Sequence, residues 1–215
     1  MSKLKPIVPK KNPPKKLVKR AATPPGEIRI IGGLWKRSKL AVADLPGLRP
    51  TPDRVRETVF NWLGQDLSGW RCLDAFAGTG ALGFEAASRG AAQVLLCDQH
   101  PTVVAQLQVV ATKLAASMVR IERADGVNAL KRATPKSLEV VFLDPPFESA
   151  QFATALQAAS KALVDTGFVY LEAPKAWTDE EVEPFGLQLH RCGKAGMVHY
   201  HLFQLRAETT AIQEV

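Results

Sequence analysis

Cys72-Leu73-Asp74-Ala75-Phe76-Ala77-Gly78-Thr79-Gly80-Ala81-Leu82-Gly83 decides the fold of this chain. Its first five residues are an apolar run interrupted by one acid, the pattern of a buried strand. Gly78-x-Gly80-x-x-Gly83 follows, a spacing that turns a strand sharply into a helix. In such a turn Gly80 lets the backbone approach a ligand, and Gly83 lets the helix lie close on the strand. The helix runs to Arg89 and Gly90 closes it. The glycine spacing alone occurs in many turns, but a strand before it and a helix after it mark a ligand-binding one.

Downstream, the same alternation repeats. Strands are expected at Gln93–Asp98, Val119–Glu122, Leu138–Leu143 and Gly167–Glu172. Helices are expected at Thr102–Ala115, Val127–Arg132 and Ala150–Leu163, the first with Val103, Leu107, Val110 and Leu114 on one side. Two late apolar runs, Gly186–Arg191 and Met197–Leu205, are joined through Cys192-Gly193-Lys194-Ala195-Gly196 and read as an antiparallel pair. The sum is a doubly wound α/β sheet, mostly parallel and closed by that pair.

Upstream, Ile28–Ile31, the Gly32-Gly33 turn and Leu34–Leu40 read as a small hairpin. Leu48-Arg49-Pro50-Thr51-Pro52 is a loop, with Thr51 or Asp53 placed to cap the next helix. Val55, Val59, Phe60 and Leu63 form that helix's apolar face, with Arg54 and Arg56 off it, and Gly64 ends it. The expected organisation is a basic tail over 1–26, a hairpin and helix extension over 27–69, the main domain over 70–205 and a short tail over 206–215.

In an open α/β sheet, ligands bind beyond the carboxyl ends of the strands. The acids at those ends are Asp74, Asp98, Asp125 and Asp144. One such acid is an ordinary helix cap; four in succession describe a rim that handles a polar ligand. A nicotinamide cofactor fits the glycine spacing, but Asp74 beside the turn would face its pyrophosphate. S-Adenosylmethionine has an ammonium, a ribose and an adenine, and no phosphate. Asp74 or the turn would then meet the methionine end, Asp98 the ribose and Asp125 the adenine amine.

Asp144-Pro145-Pro146-Phe147 ends the fourth strand. Two prolines stop the ladder because neither donates an N–H and each holds its predecessor extended. The simplest reading is a rigid strand exit. The same parts also suit a flat base with an exocyclic amine: Asp144 and the Pro145 carbonyl accept its hydrogens, and Phe147 stacks on the ring.

The net charge of +7 is unevenly placed. Seven lysines and Arg20 give residues 1–26 a charge of +8 with no acid, which leaves −1 for residues 27–215. Rich in proline as well, the tail reads as disordered and suited to phosphates, or else as a solubilising arm. Arg29, Lys36, Arg37, Lys39, Arg49, Arg54 and Arg56 precede the sheet and are placed either to grip RNA phosphates or to form a solvated surface with ion pairs to Asp53 and Glu57. Trp35, among them, is a candidate for base stacking. No apolar run approaches a membrane span, and no secretory signal is expected. Cys72, Cys97 and Cys192 are too few and scattered for a disulfide framework or zinc, so a reducing cytoplasm is expected. His199-Tyr200-His201 reads as structural, His100 as a helix start, and no metal is expected.

Asp74-Ala75-Phe76-Ala77-Gly78-Thr79-Gly80 and Asp144-Pro145-Pro146-Phe147 resemble the two signature motifs of Rossmann-type amino-group methyltransferases. Ile30-Ile31-Gly32-Gly33-x-Trp35-Lys36, Leu48 to Glu57 and Ala81-Leu82-Gly83-Phe84-Glu85-Ala86 closely resemble the RsmD family, over about Gly26 to Leu205. That resemblance implies a Rossmann-like class I methyltransferase fold with a seven-stranded sheet. It implies S-adenosylmethionine-dependent methylation of a guanine N2 in bacterial small-subunit (16S) ribosomal RNA. Asp144 stands where many amino methyltransferases carry Asn, which favours guanine N2 over adenine N6. The implied catalytic residues are Asp144, Pro145, Pro146 and Phe147. The implied cofactor residues are Asp74, Phe76, Ala77, Gly78, Thr79, Gly80, Asp98, Gln99, Asp125 and Gly126, with Asp144. The implied partner is ribosomal RNA or the assembling small subunit, met by a monomer. Alternatives are an amino-group methyltransferase acting on DNA adenine or protein glutamine, a non-catalytic RNA-binding or assembly factor of the same fold, and, more distantly, a nicotinamide oxidoreductase.

Overall fold

Strands that are apolar on both faces need cover on both, and this sheet has it. The computed structural model describes residues 26–207 except 43, 44, 46, 47, 49, 148 and 149. The basic tail, Arg49 and residues 208–215 lie outside the described residues. The elements are β1 (Glu27–Arg29), β2 (Lys39–Ala41), α1 (Asp53–Trp62), β3 (Arg71–Asp74), α2 (Ala81–Ser88), β4 (Gln93–Asp98) and α3 (Pro101–Lys113). They continue with β5 (Val119–Arg123), α4 (Gly126–Arg132), β6 (Leu138–Leu143), α5 (Phe152–Ala162), β7 (Leu163–Ala173), α6 (Asp179–Val182), a 3-10 turn (Glu183–Phe185), β8 (Leu187–Ala195) and β9 (Val198–Leu205).

Seven strands pair in the order β5-β4-β3-β6-β7-β9-β8, parallel except where β9 joins β7 and β8. Strand order reverses between β3 and β6, so the ligand crevice is expected above that pair. One face of the sheet, with Cys72, Leu96, Phe142 and Tyr170, packs against α1, α2 and α3. The other, with Leu73, Val141, Val169 and Phe203, packs against α4 and α5. Gly83 is where α2 crosses the sheet: a Cβ there would lie 2.0 Å from Leu96 Cδ2, so a larger residue would force the buried Leu96 side chain to move.

The expected hairpin is present, β1 pairing antiparallel with β2 and Glu27 opposite Ala41, but its strands are shorter than expected. Its second strand is only Lys39–Ala41, and residues 32–37 form turns. The reason is a stronger partner elsewhere. Leu34 N–H donates to the Ser88 carbonyl at 2.7 Å, Trp35 N–H to Ser88 Oγ at 2.9 Å, and Ser88 Oγ–H to the Gly32 carbonyl at 2.6 Å. Gly33, at φ +74°, has Ser88 O where a Cβ would stand, 1.8 Å away. Bonds to the end of α2 replace ladder bonds.

Glu85 completes this junction. It is fully buried, accepts the Ile31 and Gly32 N–H groups at 2.8 Å each, and pairs with Arg56 at 3.3 Å and Arg89 at 2.9 Å. The expected phosphate role of Arg56 is therefore wrong. Its side chain has no exposure and its donors go to Glu85, Asp53, the Thr51 carbonyl and the Arg29 carbonyl. Thr51 does not cap α1 either. Pro52 holds the cap position without a side-chain bond, and the Thr51 hydroxyl turns to Glu172 instead.

At the far edge, β8 runs to Ala195, past the connection expected at 192–196, so only Gly196 and Met197 separate it from β9. Gly196 takes φ +61° there. His201 is buried, accepts the Trp177 N–H at Nε2 (3.0 Å) and faces the Leu171 carbonyl through Nδ1 (3.3 Å), which is the structural role expected. Cys72 and Cys97 are buried, as expected, and Cys192 is exposed. No helix among the described residues is long and apolar enough to cross a membrane.

Removing one member of a buried ion pair leaves its partner charged and dry. Glu85→Ala is expected to cost about 3–5 kcal/mol, with Glu85→Gln falling between it and the parent. Urea denaturation followed by tryptophan fluorescence checks the order.

Candidate active site

The carboxyl ends of β3, β4, β6 and β7 open onto a cleft of about 1170 Å³ above the switch point. Its first wall is the turn after β3. Phe76, Ala77, Gly78 and Thr79 line it, and Gly78 N–H donates to Asp98 Oδ2 at 3.1 Å. The other Asp98 oxygen accepts the His100 N–H at 2.8 Å, which fixes the carboxylate at the end of β4. His100 itself caps α3 through Nδ1, the helix-start role expected of it. Gly80 is not among the residues that line the cleft. It takes φ +75° and packs so that a Cβ would lie 2.6 Å from Leu107 and 2.7 Å from Phe84. Glycine is needed at 80 for conformation and packing.

Gln99 lines the cleft beside Asp98. Its Nε2 donates to Asp125 at 2.7 Å, and the other Asp125 oxygen caps α4 through the Asn128 N–H at 2.9 Å. Asp125 thus stands just behind the wall, with Ala124 and Gly126 on it. Gly126 packs so tightly on β3 that a Cβ would be 1.9 Å from the Ala75 carbonyl.

Asp144, Pro145, Pro146 and Phe147 form the opposite wall. Among the described residues no protein donor reaches the Asp144 carboxyl. Phe147 is 41% exposed at the mouth, an unusual place for a large aromatic face. All four expected catalytic residues and most expected cofactor residues therefore share one cleft.

Glu172 is a further residue of the site, outside those expected from the sequence. It is the penultimate residue of β7, lines the cleft and is only 6% exposed. Thr51 Oγ1–H and Tyr170 O–H both donate to its Oε1, at 2.8 and 2.9 Å. The signal was present, because Glu172 stands near the end of an apolar strand as the other four acids do. Leu48, Pro50 and Thr51 of the extension and the Gly196-Met197 turn complete the lining.

Burial, with no lysine or arginine among the described lining residues, sets the electrostatics. It pushes Asp74 up to about 7, against the hydrogen bond it accepts from Gly83 N–H at 3.1 Å. Burial, then the charges of Glu172 and Asp74, raises Asp144 well above the usual carboxylate range. Burial also raises Glu172, opposed by the Thr51 and Tyr170 hydroxyls. Among the described residues no cluster of acids, histidines or cysteines is arranged to hold a metal ion.

Outside the cleft, Arg29, Lys36, Arg37 and Arg54 are exposed on the extension, as a phosphate-binding surface requires. Lys39 pairs with Glu27 at 2.6 Å. Trp35 is half-buried against the core, and its exposed neighbour is Leu34.

The strand order, its switch point and the Asp-Pro-Pro-Phe exit beside that point define an α/β methyltransferase of the Rossmann type. The family described as Conserved hypothetical protein 95 matches residues 28–204. Ribosomal RNA small subunit methyltransferase D of Escherichia coli K12 is 42% identical over 190 residues, covering 85% of this chain and 92% of its own. Its Haemophilus influenzae counterpart is 38% identical over 194 residues, covering 87% and 100%. The solved structure of the Escherichia coli protein yhhF, provisionally described as a methyltransferase, superposes with a TM-score of 0.74 at 40% identity, over 85% of this chain and all of that one. The chain belongs to this family, that of the ribosomal RNA small subunit methyltransferases D.

A carboxyl that binds its proton more tightly when folded stabilises most below its unfolded pKa, and loses that contribution as pH rises through the folded value. For Asp74 the window runs from 3.8 to about 7. Stability is expected to fall between pH 5 and pH 8 by up to about 3 kcal/mol through this group. Denaturation midpoints across that range check it, and Asp74→Asn should flatten the slope.

Proposed function

We propose that the protein transfers a methyl group from S-adenosylmethionine to the exocyclic N2 amine of a guanine in small-subunit ribosomal RNA. The observation that carries this reading is the Asp144 carboxyl, on a cleft wall beside exposed Phe147 and without a protein donor among the described residues. Such a group needs a ligand that brings its own N–H.

The cleft fits the cofactor through its donor set. Carboxylates stand at four strand ends, with no lysine or arginine among the described lining residues to receive a phosphate. Asp74, Phe76, Ala77, Gly78 and Thr79 would hold the methionine end. Asp98 and Gln99 would hold the ribose, and Asp125 and Gly126 the adenine side. When bound, the cofactor supplies an electrophilic methyl on a good leaving group.

The chain's own residues then have to position and deprotonate the amine. The guanine amine is a weak nucleophile because its lone pair is delocalised into the ring. Asp144 and the Pro145 carbonyl hold its hydrogens and favour a pyramidal nitrogen. Pro146 keeps the strand exit stiff, and Phe147 stacks on the extruded base. The nitrogen loses one proton as its bond to carbon forms. Asp144, its proton affinity raised by burial, is suited to accept it.

Asp144→Ala is expected to abolish turnover while cofactor affinity stays within a few-fold. Single-turnover assays with small-subunit RNA, paired with calorimetry, separate the two effects, and full turnover in this variant would refute the assignment. On the extension, the Arg29→Glu, Lys36→Glu, Arg37→Glu triple variant should weaken RNA binding and reduce the salt slope by roughly one unit per lost phosphate contact. A filter-binding titration between low and physiological salt measures both.

A further inference from the structure

Asp144 and Glu172 are neighbours across the rim. β6 and β7 pair in parallel with Leu143 opposite Leu171, so the next residue on each strand is Asp144 or Glu172. Both continue the alternation of Phe142 and Tyr170, which face α1. Asp74 lies one strand further along and two residues lower, opposite Phe142.

Glu172 is more than nine-tenths buried, yet only one of its oxygens is satisfied. Oε1 takes both hydroxyls, from Thr51 and Tyr170. Among the described residues Oε2 accepts nothing, and no arginine or lysine pairs with this carboxyl. Two hydroxyls from different elements fix the side chain, so the free oxygen is held in place on the lining of the cleft. A buried acceptor left without a donor is costly, and a built site resolves that cost with the ligand.

The two carboxyls together specify more than an amine. One acceptor would serve the exocyclic amine of adenine as well as that of guanine. Guanine differs in presenting a second donor, N1–H, directly beside its N2 amine, whereas N1 of adenine is an acceptor. Side-by-side carboxyls match the guanine edge and set a lone pair against a lone pair for adenine.

Resting on the reading of the cleft given above, we infer that Glu172 accepts the N1–H of the target guanine and thereby excludes purines whose N1 is itself an acceptor. Thr51 and Tyr170 act as positioning residues for it. The extension thus takes part in base selection through Thr51, apart from any phosphate contact.

Glu172→Gln tests this with little change of shape. The carbonyl of the introduced amide can still accept from Thr51 and Tyr170, which directs its NH2 to where Oε2 stood. An acceptor facing the base becomes a donor. The substrates are small-subunit RNA carrying either guanine or 2-aminopurine at the modified position; 2-aminopurine keeps the 2-amino group but has an acceptor at N1. The parent protein should prefer guanine by about 100-fold or more in kcat/KM, because a buried polar group left unpaired discriminates strongly. In Glu172→Gln that preference should fall at least tenfold, with S-adenosylmethionine affinity within threefold by calorimetry. An unchanged guanine preference, even with a lower overall rate, overturns the inference, as does a tenfold loss of cofactor affinity without a change in preference. Because the ratio compares substrates on one protein, partial misfolding cannot imitate the expected result. A parent protein that forms no N2-methylguanine on the guanine RNA overturns the functional reading itself, a separate and visible outcome.

Discussion

The Glu85 carboxylate, fully buried, is the contact on which the rest of the structure depends. It satisfies two backbone N–H groups of the extension and two arginines at once. Such a group is stable only when every lone pair has a donor, and here each donor also positions something. Arg89 anchors the end of α2. Arg56 anchors α1, and its Nε reaches back to the Thr51 carbonyl at 3.2 Å. Thr51 in turn holds Glu172 in the cleft. A chain of hydrogen bonds therefore runs from the end of α2, through the extension, to the rim of the active cleft.

The cleft itself is built from strand ends rather than from a dedicated loop system. Parallel strands place their carboxyl ends on one edge, and the reversal between β3 and β6 opens a gap above them. Asp74, Asp144 and Glu172 lie largely out of water with no basic partner among the described residues, so they hold protons more tightly than usual. A ligand rich in N–H groups, or one that carries positive charge, relieves that condition. A phosphate would aggravate it.

Much of this was legible in the sequence because local pattern and tertiary role agreed. Gln93–Asp98 and Leu138–Leu143 are strands at the residues expected, since continuous apolar runs between polar breaks leave little choice. The Gly78 turn and the Asp144 exit were visible because glycine and proline restrict the backbone by themselves. What was hidden depended on distant partners. Arg56 looks like any charged residue on a helix, and only Glu85, 29 positions away, makes it a buried one. Residues 32–37 look like a hairpin, but Ser88 offers better bonds than a neighbouring strand. Glu172 sits in an apolar strand whose pattern draws the eye to its hydrophobic residues, while its meaning comes from Thr51, 121 positions earlier.

The sheet's two free margins are also informative. β5, at one margin, carries Arg120, Glu122 and Arg123, and β8, at the other, carries Arg191 and Lys194 after an irregularity between Leu189 and Arg191. Charged side chains and a broken ladder are poor templates for a further strand. Among the described residues, both margins of the sheet are therefore poor sites for an eighth strand from a neighbouring chain to join edge to edge.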